Sequence, residues 1–290
     1  MYDVLVIGAE GMVGSIVFKY LQNYSSVLGT CRADSSLFYK YIANRDRHSL
    51  QQLLSMLNSG ALVINCVAIL DLVENNLASN ESLLESIEIN SLFPHFLAKE
   101  CTSMGMRLIH ISTDAVFGSN SGQFSEDMSM FPNTVYGMTK ALGELSFKNA
   151  ITIRCSLVGP CFGTKKGGLW NWISNSEKNA KLYGYINNHW TGVTTLQFAR
   201  ICHALIDQAI FFELIKKYGY VHHLCTNEVI TKYDLIFLIA QKIRPDLRIE
   251  KSVSKAPSSR QLVSKSNQLN KLLHKVRWDV AIEEMEQLQL

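Results

Sequence analysis

At 290 residues, with 47% hydrophobic and 18% charged side chains, the chain can bury a large core and is too apolar to be a disordered protein. A formal charge of +3 without any Lys/Arg-rich run excludes an electrostatic nucleic-acid binder. No apolar run approaches the roughly 18 residues of a membrane span, the N-terminal stretch lacks a signal-peptide pattern, and the seven scattered cysteines form no CxxC pair. A cytoplasmic protein with reduced thiols is expected, with no membrane or nucleic-acid partner and no metal site.

In chain order, "YDVLVIG" is a short β-branched run ending in glycine and predicts a buried strand, followed by a helix over "SIVFKYLQN". "SVLGTCR" predicts a second strand, "SLQQLLSMLN" a helix and "ALVINCVAI" a third strand. "ESIEINSLFPHFLAKECTSM" then predicts one long helix perturbed at Pro94. "MRLIHIST" reads as a strand, "TVYGMTKALGELSFK" as a helix and "AITIRCSLVG" as a strand. Strands alternating with helices imply an α/β fold, a Rossmann-type doubly wound parallel sheet with ligands at the strands' carboxyl ends. The regularity fades near Gly159, so residues 1–160 are assigned to this nucleotide-binding domain. Residues 161–290 are assigned mainly to a smaller C-terminal substrate-binding lobe and lid, with elements returning to the first domain. That part holds helical stretches at "LQFARICHALIDQAI" and "TKYDLIFLIAQKI".

After the first strand, Gly8-Ala9-Glu10-Gly11-Met12-Val13-Gly14 is a GxxGxxG pattern opening into a helix. Glycines there permit a tight turn, close approach to a pyrophosphate and helix–strand packing, while the helix N-terminus offers free N–H groups and a positive dipole end. Gly8, Gly11, Met12, Val13 and Gly14 are therefore candidate dinucleotide contacts. The second strand ends in Thr30-Cys31-Arg32, with Asp34 two residues on. Arginine at this place suits the 2′-phosphate of NADP(H), whereas Asp34 leaves NAD(H) open as the second choice.

Tyr136 and Lys140 stand four apart on a predicted helix and so share one face. A tyrosine of ordinary pKa near 10 moves protons poorly at neutral pH, and a neighbouring ammonium favours its phenolate. "HISTDAV", at the end of a strand, brings the Thr113 hydroxyl to the same cleft.

This set, with "INCVA", "IEIN", "STDAVFG" and "YGMTKALGE", resembles the extended short-chain dehydrogenase/reductases over roughly residues 4 to 160. Within them, "STDAVF", "FSEDMSMFPNTVYGMTKALGE" and "IRCSLVG" are similar to the dTDP-4-dehydrorhamnose reductase branch. The resemblance implies NADP(H)-dependent reduction of a nucleotide-linked 4-keto-6-deoxyhexose in nucleotide-sugar and polysaccharide biosynthesis. Thr113 would polarise the keto oxygen, Tyr136 donate the proton, and Lys140 hold the nicotinamide ribose and lower the tyrosine pKa. Val67, Ala68 and Ile69 would lie along the cofactor, and Asp46 and Arg47 near the adenine. Asn90 would complete a proton relay or serve as a satisfied structural amide. A homodimer is expected by the same analogy.

Two residues depart from the branch. Ala115 replaces its usual aromatic residue and Leu157 its usual tryptophan, both at sugar-contacting positions, so the hexose is left open. Ala115 also stands where the related 4,6-dehydratases carry glutamate, which sets dehydration aside. Trp170, Trp172, Tyr185, His189 and Trp190 are candidates for stacking on the sugar or base, with packing between lobes as the other reading, and Lys165 and Lys166 are candidates for the diphosphate. A sugar-nucleotide 4-epimerase and a non-catalytic NADP-binding regulatory subunit are the competing functions. The length and Arg32 weigh against the first, and an intact Thr–Tyr–Lys set against the second.

Overall fold

The computed structural model describes residues 1–70, 80–118, 122–162, 167–226, 228–273 and 277–288. The apolar runs form a seven-stranded sheet, every strand parallel to its neighbours, in the order β12-β7-β5-β4-β1-β2-β3. Its members are β1 (Tyr2–Ile7), β2 (Val27–Cys31), β3 (Tyr39–Lys40), β4 (Leu57–Asn65), β5 (Arg107–Thr113), β7 (Ala150–Cys155) and β12 (Val221–His223). Because successive side chains point to opposite faces, β1 sends Val4 and Val6 into one core and Leu5 and Ile7 into another.

The first core takes Ile16, Val17, Phe18 and Leu21 from α1 (Met12–Leu21) together with Phe198, Ala199, Ile201 and Cys202 from α7 (Thr195–Ala204). The second takes Leu50, Leu53 and Leu54 from α2 (Arg47–Leu54) and Phe93, Leu97, Ala98 and Cys101 from α4 (Phe93–Ser103). Two pieces of the C-terminal half thus complete the N-terminal sheet: β12 as its edge strand, and α7 as a helix packed beside α1.

The remaining strands make four two-stranded ladders. They pair β6 (Gly122–Phe124) with β15 (Arg260–Leu262), and β8 (Leu157–Val158) with β11 (Val193–Thr194). The others pair β9 (Lys181–Tyr185) with β14 (Arg248–Ser252), and β10 (His189–Trp190) with β13 (Ile230–Thr231). The remaining helices are α6 (Leu169–Ser174), α8 (Gln208–Tyr218), α9 (Lys232–Ile243), α10 (Gln268–Leu272) and α11 (Trp278–Gln287).

Three predicted helices end differently. The long one divides into α3 (Asn80–Ile87), a π turn (Glu88–Leu92) and α4, whose first turn takes Pro94 where no intrahelical N–H is needed. The helix that carries Tyr136 and Lys140 is α5 (Val135–Leu142), and it stops at Gly143, after which Glu144 turns inward to Arg154. "LQFARICHALIDQAI" splits into α7 and α8 at Asp207, whose carboxylate caps α8 by accepting from Ala209 N at 2.7 Å. None of the seven cysteines is in a disulfide. No helix among the described residues is long and apolar enough to cross a membrane.

Candidate active site

A cavity of about 960 Å³ opens at the carboxyl ends of β1, β2 and β4. Its floor is the glycine-rich turn. Gly8 sits at φ +83°, and a Cβ on Gly14 would lie 2.1 Å from the Gly8 carbonyl oxygen, so only glycine lets α1 start this close to β1. Gly11 is the N-cap of α1 without a side-chain cap, which leaves first-turn N–H groups for a ligand anion. The turn is tied to β2: Ala9 N donates to Thr30 O at 2.8 Å and Gly8 N to Thr30 Oγ1 at 3.2 Å. Gly8, Gly11, Met12, Arg32, Val67, Ala68 and Ile69 all line the cavity. A glycine cradle under an uncapped helix start fits a dinucleotide pyrophosphate.

Thr113 ends β5 on the neighbouring strand. Tyr136 and Lys140 come from α5, whose N-cap Thr134 accepts from Gly137 N at 3.1 Å. Gly137 lets this helix press onto the turn after β5, since a Cβ there would meet Ala115 O at 2.5 Å. The approach sets the Tyr136 hydroxyl against Thr113. Burial pushes the Tyr136 hydroxyl's pKa up, the Thr113 contact opposes this, and the Asp114 charge adds to it. The expected lowering by Lys140 is therefore not what this geometry produces. Lys140, itself buried, turns its ammonium to Ile111 O and to His110 Nε2, the latter at 3.2 Å. Burial lowers its pKa to about 8, with Glu144 opposing. A tyrosine that keeps its proton is suited to act as an acid toward a carbonyl oxygen that gains charge.

Several neighbours carried no signal in spacing. His110 is fully buried, Asn65 lies 3.2 Å from its Nδ1, and burial followed by the Lys140 charge holds its pKa well below the usual range. An imidazole in the middle of an apolar strand was the visible clue. Asp114 accepts from Thr113 Oγ1 at 3.1 Å, and Arg260 Nε lies 3.9 Å from its carboxylate. Lys232 feels the charge of the same carboxylate and places its ammonium 4.9 Å above the Trp190 ring. Two cations from the C-terminal half thus act on Asp114, next to Thr113.

Other expected contacts sit elsewhere. Val13 packs against the first core and Gly14 against Gly8, so neither is on the cavity wall. Asp46 caps α2, accepting from His48 N at 3.1 Å and Ser49 Oγ at 2.6 Å. Arg47 pairs with buried Glu100 at 3.1 Å, so both residues serve the helix rather than an adenine pocket. Asn90 is the structural amide of the two readings: it clamps Ile69 through N and O at 2.9 Å each and donates to Thr139 Oγ1 at 3.1 Å. Trp170 and Trp190 are core residues, 6% and 4% exposed, the second tilted against Trp278 at 5.2 Å, and neither offers a sugar a free face. Ala115 is buried beneath α5, and Leu157 packs onto the first core. Trp172 and Tyr185 are exposed, while His189 Nδ1 lies 3.3 Å from Ser259 Oγ. Lys165 and Lys166 lie outside the described residues.

Residues 2–285 match the family described as RmlD substrate binding domain. Methionine adenosyltransferase 2 subunit beta of Xenopus tropicalis is 26% identical over 250 residues, which span 81% of this chain and 70% of that protein. The dTDP-4-dehydrorhamnose reductase of Streptomyces griseus is 31% identical over 141 residues, 48% of this chain and 43% of the relative. The solved dTDP-4-dehydrorhamnose reductase of Bacillus anthracis str. Ames, in complex with NADP, superposes with a TM-score of 0.76 at 17% identity over 98% of both chains. Matched almost end to end and built on a parallel Rossmann-type sheet, the chain belongs to the RmlD substrate binding domain family.

Proposed function

We propose that this protein reduces the keto group of a nucleotide-linked 4-keto-6-deoxyhexose with NADPH, supplying a deoxysugar nucleotide for glycan synthesis. The observation that carries the reading is the Tyr136 hydroxyl set against Thr113 on the strand next to the dinucleotide cradle. When bound, the reduced nicotinamide supplies the hydride. Of the residues lining the cavity, Arg32 would meet the 2′-phosphate, the start of α1 the pyrophosphate, and Val67 to Ile69 the rest of the dinucleotide. Thr113 would orient the keto oxygen and Tyr136 would pass it a proton as its carbon receives hydride. Arg260, near Asp114, and Lys232 would supply counter-charge to a sugar diphosphate.

A second reading has one observation in its favour. The relative aligned over 81% of this chain is by name a subunit of another enzyme, so a role as a partner subunit is the runner-up. Following NADPH absorbance while dTDP-, UDP- and GDP-linked 4-keto-6-deoxyhexoses are added separates the two. Consumption with one sugar, lost by about 10²-fold or more in Tyr136→Phe, supports the reductase. NADPH that binds but is never consumed overturns it in favour of the subunit role.

A further inference from the structure

The choice between NADP and NAD in a Rossmann site is made at the adenosine-ribose 2′ position, beside the end of the second strand. Asp34, the carboxylate nearest in sequence to that strand, is turned away: its side chain is 88% exposed and paired with Lys40 at 3.1 Å. A different carboxylate takes its place. Glu10 belongs to the glycine-rich turn, which Ala9 N and Gly8 N tie to Thr30 at the end of β2. Glu10 is half-buried, and it lines the cavity together with Thr30, Cys31 and Arg32. Its charge acts on the Cys31 thiol, which places it at this strand end. Among the described residues neither Glu10 nor Arg32 forms an ion pair. The cavity's other acids, Glu85 and Glu88, come from the helical segment 80–92, and Glu88 is already held by Arg45 at 2.8 Å.

We propose that Glu10 accepts a hydrogen bond from the ribose 2′-hydroxyl of NADH and thereby restrains the preference for NADPH that Arg32 sets. The proposal rests on the dinucleotide reading above. A carboxylate is an acceptor matched to a hydroxyl donor, and it repels a 2′-phosphate that carries well over one negative charge at neutral pH. Arg32 acts with the opposite sign at the same position. With both on one wall, the chain discriminates weakly and uses either dinucleotide.

The test is separate titration of NADPH and NADH into wild type, Glu10→Gln, Glu10→Ala and Arg32→Gln, followed by quenching of tryptophan fluorescence. Both Glu10 variants should bind NADPH about ten-fold tighter, from the charge removed, and NADH several-fold more weakly, from the acceptor weakened or lost. Arg32→Gln should move the ratio the other way. If the Glu10 variants move both constants by one factor, or neither, Glu10 does not face the 2′ position and the inference is wrong. If wild type binds neither dinucleotide, the cofactor reading itself falls, which is a different and earlier failure.

Discussion

Replacing Glu144 with glutamine strands a buried guanidinium. The Glu144 carboxylate accepts from Arg154 Nε and Nη2, both at 2.7 Å, and from Ser112 Oγ at 2.7 Å. The two side chains are only 7% and 5% exposed. Arg154 also lies over the Phe117 ring at 5.1 Å and 3.3 Å from His223 Nε2, neither of which balances its charge. Removing one partner of a buried pair costs about 3–5 kcal/mol, because the other charge stays out of water without compensation. At about 2–4 °C per kcal/mol, Glu144→Gln should lower the melting temperature by on the order of 10 °C. Urea unfolding followed by circular dichroism measures the loss directly. The companion is Glu144→Leu combined with Arg154→Met, which removes both charges at similar volume and should cost much less than the two single changes added. A Glu144→Gln loss below about 1 kcal/mol, or a double variant that loses the full sum, would refute the claim that this pair holds β5, α5 and β7 together through an uncompensated charge.

Two further outcomes follow from the same geometry. Gly14→Ala places a Cβ 2.1 Å from the Gly8 carbonyl oxygen, so the turn must open; a stability loss of about 1–3 kcal/mol and at least ten-fold weaker NADPH binding are expected in melts and titrations, and unchanged binding would show that the cradle yields freely. Burial lowers the Lys140 pKa from 10.5 to about 8, so between these values the unfolded chain binds the extra proton and the folded, cofactor-free protein gains stability as pH rises. The burden is fully present below pH 8 and relieved by 10.5, so wild type should gain roughly 3 kcal/mol on Lys140→Met across that window in urea titrations; a constant difference would show that the ammonium is not buried.

Features set by neighbours in sequence were legible in the chain. The apolar runs of β1, β4, β5 and β7, the turn from Gly8 to Gly14, and the i, i+4 placement of Tyr136 and Lys140 follow from side-chain periodicity and turn chemistry, which act within a few residues. The limits of that reasoning show at Trp190 and Asp46. An indole suits a sugar platform and a core equally well, and Trp190 became core because Trp278 folds back over it. A carboxylate can face an adenine or cap a helix, and Asp46 found the open N–H of His48 first. Likewise α5 ends at Gly143, where Glu144 meets Arg154 from β7, and the sheet gains β12 from a segment to which local pattern assigned no element. Asp114 meets Arg260, and Lys140 turns to His110, through contacts between distant segments. The sequence by itself determined the central strands, the glycine-rich cradle and the shared helix face of Tyr136 and Lys140. The tertiary structure decided which aromatics and charges reach the cleft, because burial and long-range pairing, not local pattern, choose the partner of a group that has several.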